Sequence, residues 1–425
     1  MEHLKRPEAP EEITDREETA RVVAEIISGV RTRGLDAVRE YSERFDGFAP
    51  ADFRVPEDVI EEAETKVDDD LKRSIRFAHD QVRRFAEHQR STLLDLEVET
   101  EPGVILGHRH IPVDRVGAYV PGGRYSLIAS SYMSVIPARV AGVKEVHVAT
   151  PPRQGEINPA LLYSARLAGA DSIHAVGGVH GLAALAYGIL PGVGPVDFLA
   201  GPGNRYVVEA KRQLFGQVGV DLLAGPTEIG ILADATADPF IVAADLVGQA
   251  EHDPYSRAIL ITTSRELGLA VIDQMDDHLR AVSTEDVARQ CWVNGGEVIL
   301  VADEAEMIAV SDEYAIEHVE VLTRDPIALA DQLTHYGSLF IGEEATVAYG
   351  DKVSGPNHIL PTHRAARFTG GLWVGKYLKT VTYQRMDRAG SLLMAEHCER
   401  EALAEGMVAH ARTATIRLER YGSDA

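Results

Sequence analysis

Two short segments of this sequence place an amide or a carboxylate beside a histidine at a spacing suited to chemistry. In DLVGQAEHDP, Gln249 and His252 lie three residues apart within a segment of helical apolar spacing, which predicts that they share one helix face. An amide oxygen beside an imidazole nitrogen suits a metal ion, and a polar helix end is the alternative. In SDEYAIEHVEV, Glu317 and His318 open an apolar run at the expected start of a strand. A His accepts a proton and a Glu activates water, so the two are either an acid/base pair or solvated residues before a strand.

Two further residues extend the candidate metal site. Asp351, in YGDKVSGPNHILP, follows a predicted strand and a glycine in a loop, although turn aspartates are common. His410, in EGMVAHARTA, comes five residues after Glu405 and is also typical of a surface histidine. Together, Gln249, His252, Asp351 and His410 would form a thiolate-free shell suited to catalytic zinc, but their spacing does not show that they meet.

Three glycine-rich segments are candidate cofactor loops. GPGN, residues 201–204, follows a predicted strand and precedes the helical stretch RYVVEAKRQLF. Glycines let the backbone approach a dinucleotide, and a helix N-terminus favours its phosphates. The GxGxxG fingerprint is absent, so tight turns are the alternative here and at PGG (121–123) and GGVHG (177–181).

Composition limits the class of protein. The 425 residues are 45% hydrophobic, which is enough for two or three domains. The net charge of -24 disfavours a nucleic-acid partner, because a phosphate backbone selects an excess of cations. No apolar run approaches the roughly 20 residues of a membrane helix, and the N-terminus MEHLKRPEAPEE is charged, so we expect a cytoplasmic protein without a membrane partner. With two cysteines, any metal must bind nitrogen and oxygen ligands.

The pattern of apolar runs predicts the elements that position these residues. Helices are predicted at 13–33, 35–45 and 56–91. From Val116 on, short apolar runs such as VGAYV, VDFLA, AILITT and EVILVA alternate with helical stretches. This alternation predicts an α/β fold with parallel sheets covered on both faces, and ligands at the carboxyl ends of the strands. After Gly371 the chain should be helical, apart from a β-like ending ATIRLERYG, and this terminal arm is suited to packing on a partner subunit.

Seven motifs in collinear order resemble the histidinol dehydrogenase family, over residues 15–422. They are VDRVGAYVPGG, GPGNRYVVEAKR, AGPTE, GQAEH, AIEHVEV, GDKVSGPNHILPT and EGMVAHA. The resemblance implies that zinc, one per subunit, is bound by Gln249, His252, Asp351 and, from the other subunit, His410. It implies Glu317 and His318 as the acid/base pair. NAD contacts would come from Tyr119, His180 and Asn204, and the substrate site would be lined by Thr227, His358, Glu405, His318 and the four zinc ligands.

The resemblance also implies a domain organisation. Two incomplete Rossmann-like domains with parallel sheets, plus small helical N- and C-terminal pieces, would be swapped across an intertwined homodimer with shared active sites. The expected boundaries are an N-terminal arm at 1–20, a first Rossmann-like domain from 21–115 and 230–368, a second at 116–229, and a C-terminal helical arm at 369–425 that packs on the partner. Two departures stand out: position 180 is His where the family usually has Gln, and position 227 is Thr where the histidine-making enzymes usually have Ser.

Other segments are more similar to a sister branch, the sulfopropanediol 3-dehydrogenases, which oxidise 2,3-dihydroxypropane-1-sulfonate to sulfolactate. These segments are GHRHIPV, GGRYSLIASSYMS, TGGLWVGKYLKTVTYQ and the ending RLERYG. The first three segments contain four cations suited to a sulfonate, although Arg and Lys usually face water: Arg109, Arg124, Lys376 and Lys379.

The expected activity is therefore a zinc- and NAD-dependent oxidation of a small primary alcohol to a carboxylate through an aldehyde, with two NADH formed per substrate. The sulfonate diol is the favoured substrate, and L-histidinol is the alternative within the family. A zinc hydrolase with the same ligands, and a nucleotide-sensing protein without turnover, are the alternatives outside it.

Overall fold

The computed structural model describes residues 1–8, 16–122 and 125–422, and these form an α/β fold with parallel sheets, as predicted. The strands are β1 (Glu2–Lys5), β2 (Leu96–Glu101), β3 (Val104–Pro112), β4 (Arg115–Tyr119), β5 (Glu145–Thr150), β6 (Ser172–Ala175), β7 (Phe198–Ala200), β8 (Gly219–Val220), β9 (Glu228–Ala233), β10 (Arg257–Thr262), β11 (Gly296–Leu300), β12 (His318–Leu322), β13 (Ser338–Ile341) and β14 (Leu378–Met386). The helices are α1 (Arg16–Arg33), α2 (Leu35–Asp46), α3 (Glu57–Lys66), α4 (Asp69–Ser91), α5 (Ile128–Ala141), α6 (Pro159–Ala168), α7 (Gly178–Tyr187), α8 (Arg205–Leu214), α9 (Pro239–Ala250), α10 (Arg265–Ala281), α11 (Glu285–Gly295), α12 (Glu304–Tyr314), α13 (Pro326–Ala330), α14 (Val347–Lys352), α15 (Arg388–Ala404) and α16 (Val408–Gly422). None of these helices combines the length and the apolar character needed to cross a membrane.

The larger sheet contains six strands in the order β1-β11-β10-β9-β12-β13. The last five strands of this order run parallel, and β1 joins the edge antiparallel to β11. Every residue of β9 and of β12 is buried, because apolar clusters cover both faces of the sheet. Strands with two covered faces are near-continuous apolar runs, which is why their pattern was readable in the sequence.

The second sheet contains five parallel strands in the order β6-β5-β4-β7-β8. Helices α1 and α2 pack against α7 and α8 and form one apolar core with this sheet. Both parallel sheets belong to one compact unit, formed by Met1–His88 and Val113–Tyr377. The predicted boundaries of the two Rossmann-like domains stay predictions.

A second unit, Gln89–Pro112 with Leu378–Ala425, contains an antiparallel sheet in the order β14-β3-β2 and the helix pair α15 and α16. The terminal arm is thus not helical throughout, since β14 is a nine-residue strand. The predicted β-like ending was wrong, because ATIRLERYG lies within α16. Ala411 and Ala414, three residues apart, are the buried residues of α16, which is helical spacing.

Candidate active site

The candidate acid/base residues lie at the amino ends of two adjacent strands of the larger sheet. Thr227 directly precedes β9, Glu317 directly precedes β12, and His318 is the first residue of β12. The two strands pair in parallel with His318 opposite Ile229, which brings the three side chains together. A strand start at His318 agrees with the prediction. The expectation that the chemistry follows the carboxyl ends of the strands is wrong for these residues.

A hydrogen-bond chain through the Thr227 hydroxyl connects α9 to β12. The Gln249 side-chain amide donates to Thr227 Oγ1 over 2.5 Å, and that hydroxyl donates to Glu317 Oε2 over 2.5 Å. Glu317 Oε2 also accepts the backbone N–H of Glu228 at 2.9 Å. Because Gln249 uses its N–H on Thr227, its carbonyl oxygen remains a candidate ligand. Glu317 is therefore a fixed, buried side chain and not a solvated one.

The His318 ring is oriented so that one nitrogen remains a candidate base. Nδ1 lies 3.1 Å from the carbonyl oxygen of Glu228, an acceptor, so Nδ1 carries a proton and donates it. Nε2 is buried, has no hydrogen-bond partner among the described residues, and lies 3.5 Å from Asp351 Oδ1. Burial would lower the pKa of His318, but Glu317 and Asp351 outweigh it and raise the pKa well above its ordinary value. In the metal-free chain the ring is therefore held protonated, and a cation bound by Asp351 would oppose that charge and favour the neutral ring that can accept a proton.

The predicted metal ligands Gln249, His252 and Asp351 lie beside this pair. Gln249 is in the last turn of α9, and His252 lies in the turn that follows the helix end at Ala250. The prediction that both residues share one helix face was therefore wrong. Asp351 lies within α14 and not in a loop, which corrects the second local prediction. His252 Nε2 is 3.7 Å from Asp351 Oδ2.

The protonation of these residues suits metal binding. Burial lowers the pKa of His252, which favours the neutral imidazole that ligates metals. Burial would raise the pKa of Asp351, but the adjacent His318 ring holds the pKa well below its usual range. Asp351 is thus an anion beside a neutral histidine and an amide.

His358 is held by both of its ring nitrogens. Nδ1 is 3.2 Å from the carbonyl oxygen of Asp351 and so donates, which leaves Nε2 to accept from the Ser130 hydroxyl at 2.9 Å. Burial lowers the pKa of His358 to about 4, so the ring is neutral. The Tyr132 hydroxyl bonds the carbonyl of Lys352, which also fixes this segment to α5. Ser130 and Tyr132 were not singled out, and the only signal was their place in the SSYMS segment.

Apart from Lys376, the other residues predicted to contact zinc or substrate belong to the second unit or lie outside the described part. Glu405 caps the C-terminus of α15 and His410 lies in α16, and both are exposed within one chain. Arg109 stacks on Tyr383, 4.9 Å from its ring centroid, and shares a face of the antiparallel sheet with Lys379. Lys376, in the first unit, donates to Thr369 Oγ1 at 2.9 Å. Arg124, and Gly123 of the PGG segment, are outside the described residues.

The predicted cofactor residues cluster at the carboxyl ends of strands in the second sheet, as the expectation for parallel sheets requires. Tyr119 is the last residue of β4. Burial raises the pKa of Tyr119 to about 12, although a hydrogen bond from the backbone N–H of Gly178 partly offsets this rise. His180, in the first turn of α7, is 2% exposed and places Nε2 3.4 Å from Asp46 Oδ2. Neither of these two atoms has a hydrogen-bond partner in the described part of the chain.

The GPGN loop is fixed from behind by a buried ion pair. Lys211 and Asp221 are joined at 2.6 Å, with side chains 3% and 0% exposed. Lys211 donates to the carbonyl of Gly201, and the Gly201 N–H donates to Asp221 at 2.8 Å. Gly201 has φ +119, and a Cβ there would lie 1.9 Å from the Tyr119 carbonyl oxygen, so only glycine fits. Asn204 caps α8 through its side-chain oxygen, which leaves its amide N–H groups for a ligand.

The donor set of this site fits a metal only in part within a single chain. No three His, Cys, Asp or Glu side chains converge as metal ligands in residues 1–8, 16–122 and 125–422. His252, Asp351 and the amide oxygen of Gln249 are nitrogen and oxygen donors of the kind zinc accepts, and a fourth ligand must come from elsewhere.

Comparisons with known proteins identify the family. The family model described as histidinol dehydrogenase matches residues 9–418. A histidinol dehydrogenase homolog of Shouchella clausii is 48% identical over 99% of both chains. A sulfopropanediol 3-dehydrogenase of Ruegeria pomeroyi is also 48% identical, over 100% of this chain and 98% of its own. The crystal structure of histidinol dehydrogenase from Elizabethkingia anophelis matches with a TM-score of 0.91 and 30% identity, over 99% of this chain and 100% of the other.

This chain therefore belongs to the histidinol dehydrogenase family. The resemblance drawn from the seven motifs is confirmed, including its sulfopropanediol dehydrogenase-like side. The prediction of an NAD-dependent alcohol dehydrogenase is confirmed at the level of this family.

Proposed function

We propose that this protein is a zinc- and NAD-dependent dehydrogenase that oxidises a small primary alcohol to a carboxylate in two steps through an aldehyde. The observation that supports the proposal is the buried cluster at the starts of β9 and β12, where Glu317, His318 and Asp351 adjoin. This cluster contains a histidine whose Nε2 faces Asp351 and a carboxylate, Glu317, fixed beside it.

We assign the zinc, one ion per subunit, to Gln249, His252, Asp351 and His410 of the partner subunit. The first three are supported by the free amide oxygen, the neutral ring and the anionic carboxylate described above. When bound, zinc would orient the alcohol and polarise its oxygen. Thr227, His358 and Glu405 are the further substrate-lining residues of the proposal.

His318 and Glu317 carry out different proton transfers in the proposed reaction. His318 Nε2 accepts the proton of the alcohol in the first oxidation, because Nδ1 already donates to a carbonyl. Glu317 then activates the water that adds to the aldehyde, and the hydrate is oxidised to the carboxylate. NAD, when bound at Tyr119, His180 and Asn204, supplies the acceptor for the hydride of each step. The balance of electrons requires two NAD per substrate.

The substrate we favour is 2,3-dihydroxypropane-1-sulfonate, which would be oxidised to 3-sulfolactate. It is supported by the relative named sulfopropanediol 3-dehydrogenase, which aligns with the whole chain. L-histidinol is the second candidate, because other relatives of equal identity are named histidinol dehydrogenase homologs. An imidazole and an amine could ligate zinc directly, whereas a sulfonate requires cationic contacts.

The oligomer we propose is a homodimer that shares its active sites. Helices α15 and α16 and the turn between them leave several large apolar side chains exposed within one chain: Leu393, Leu403, Met407, Val408 and Ile416. Val408 is 68% exposed, and a group of large exposed apolar side chains is typical of an interface. A cytoplasmic location remains part of the proposal.

The deciding experiment is a parallel assay of the zinc-loaded protein with the sulfonate diol and with L-histidinol, counting NADH per substrate consumed. We expect two NADH and sulfolactate from the diol, with little turnover of histidinol. One NADH with release of aldehyde would contradict the four-electron scheme. Turnover of histidinol alone would replace the substrate and keep the mechanism.

A further inference from the structure

Beneath the candidate site lie two acidic side chains that the mechanism does not use. Glu320 is in the middle of β12 and is 0% exposed, and Asp245 is in α9 and is partly buried. Glu320 is two residues after His318, so both side chains point to the same face of the sheet. Asp245 is four residues before Gln249, so both lie on the same face of α9. Neither acid was identified from the sequence.

Both carboxyls also hold the start of α14, the helix that contains Asp351. The backbone N–H of Val347 donates to Glu320 Oε1 at 2.8 Å. The hydroxyl of Thr346 donates to Asp245 Oδ1 at 2.9 Å. Asp351 follows Val347 by four residues, one helical turn away. The two acids therefore contact or belong to each of the three elements that carry the site.

The charge state of the pair follows from its burial. Burial and, after it, the charge of Asp245 raise the pKa of Glu320 to about 8. Burial also raises the pKa of Asp245, although hydrogen bonding to Thr346 and Glu320 partly offsets this rise. No Arg or Lys of the described residues is among the groups that shift either pKa. Two adjacent buried acids without a cation are stable when they carry one proton, which one carboxyl donates to the other.

We propose that Asp245 and Glu320 are positioning residues, a carboxyl pair with one shared proton that fixes α9, β12 and α14 so that Gln249, His318 and Asp351 meet. The geometry is described above, and the consequence for metal binding rests on the proposed function. Glu320 Oε2 is buried without a hydrogen-bond partner among the described residues, and the adjacent Asp245 carboxyl is the group that can share a proton with it.

The test compares Glu320→Gln with Glu320→Leu. The amide of E320Q can accept from Val347 and donate to Asp245, so it reproduces the protonated acid, whereas E320L removes both bonds. A matched control is Glu297→Leu, a buried acid of the same sheet that bonds Tyr314 and contacts His3. The first measurement is hydrogen exchange of residues 345–352 in metal-free protein. The second is affinity for Co²⁺, with its visible spectrum as a report on ligand geometry.

We expect E320L to exchange faster at the start of α14 and to bind Co²⁺ about 10- to 100-fold more weakly with an altered spectrum, since the residues that orient ligands act at this scale. E320Q and E297L should resemble the wild type in both measurements. A folded E320L with wild-type exchange and affinity would overturn the proposal, and so would an E320Q as defective as E320L.

Two outcomes require a second measurement. If E320L does not fold, Asp245→Ala is the second test, because it removes the partner of Thr346 and of Glu320. Faster hydrogen exchange of α14 in this variant would support the pairing, and unchanged exchange would refute it. If the wild type binds no metal and reduces no NAD, the proposed function fails, and the exchange measurement still decides whether the pair fixes α14.

Discussion

At the scale of single residues, the site depends on how Thr227 connects Gln249 with Glu317. Its hydroxyl accepts from an amide and donates to a carboxylate, so it fixes the orientation of both. Serine supplies the same hydroxyl, which explains how Thr and Ser serve the same position. The residue types could be read from the sequence, but the chain of bonds could not, because it joins residues up to 90 positions apart.

Glu317→Gln should separate the two oxidations. The amide cannot take a proton from water, so hydration of the aldehyde should slow by about 10²- to 10⁴-fold, while His318 still serves the first step. We therefore expect about one NADH per substrate and trapped aldehyde in single-turnover experiments. Thr227→Ser is the control and should still give two. If E317Q loses both oxidations equally, Glu317 has no selective role in hydration.

Glu228 should make the stability of the protein depend on pH. Burial raises its pKa to about 7, with Arg257 opposing and Glu317 adding to the rise. A raised pKa means that the folded state binds the proton more tightly, so this stabilisation is complete below about pH 4.5 and is lost as pH rises to about 7. This contribution to the free energy of unfolding is of order a few kcal/mol.

Glu228→Gln should remove this dependence. The thermal midpoint of the wild type should fall between pH 5 and pH 8 by more than that of E228Q. If the thermal midpoints of the two proteins changed equally with pH, Glu228 would not titrate in this range.

At the scale of elements, the sequence predicted the strands and helices that have a regular apolar pattern. Buried strands such as β9 and helices with clear caps, such as α8 behind Asn204, were readable locally. The antiparallel sheet was missed because β2 is exposed along its whole length and has no buried face to give a pattern. The start of β12 at His318 was predicted, but its meeting with Thr227 was not, because the residues that adjoin across a sheet are known only once the strands pair.

The Lys211–Asp221 ion pair should set the affinity for NAD through the GPGN loop. Lys211→Met alone leaves a buried carboxylate and should cost about 3–5 kcal/mol of stability. The double variant K211M/D221L removes both charges and should recover much of that loss. It still lacks both bonds to Gly201, so we expect NAD to bind about tenfold more weakly.

Arg212→Met supplies the comparison for this pair. Arg212 pairs with Glu209 on the same helix, but its side chain is 54% exposed, so its loss should change neither property much. Calorimetric NAD titration and thermal unfolding measure the two effects. A double variant with wild-type NAD affinity would show that the loop keeps its shape without the pair.

At the scale of the whole molecule, the proposed dimer concerns the second unit. Its buried helix residues are mostly Ala and Gly, while larger apolar side chains such as Leu403 and Val408 stay exposed. His410 lies in this unit, away in sequence from every other proposed ligand. Sequence patterns describe one chain, so they could indicate a partner-packing arm but not which residues of two chains meet.

Mixing two inactive variants would show whether each site draws on both subunits. A dimer of one His410→Ala chain and one Asp351→Asn chain has one intact site, because the intact Gln249, His252 and Asp351 of the first chain meet the intact His410 of the second. Random association makes half of the dimers mixed, so co-expression should restore about a quarter of the wild-type activity. Co-expression of Asp351→Asn with His318→Gln is the matched control, since both changes lie in the same half of the site and every site stays defective. Activity no higher than that of this control would mean that His410 acts within its own chain or not at all, and the shared site would have to be abandoned.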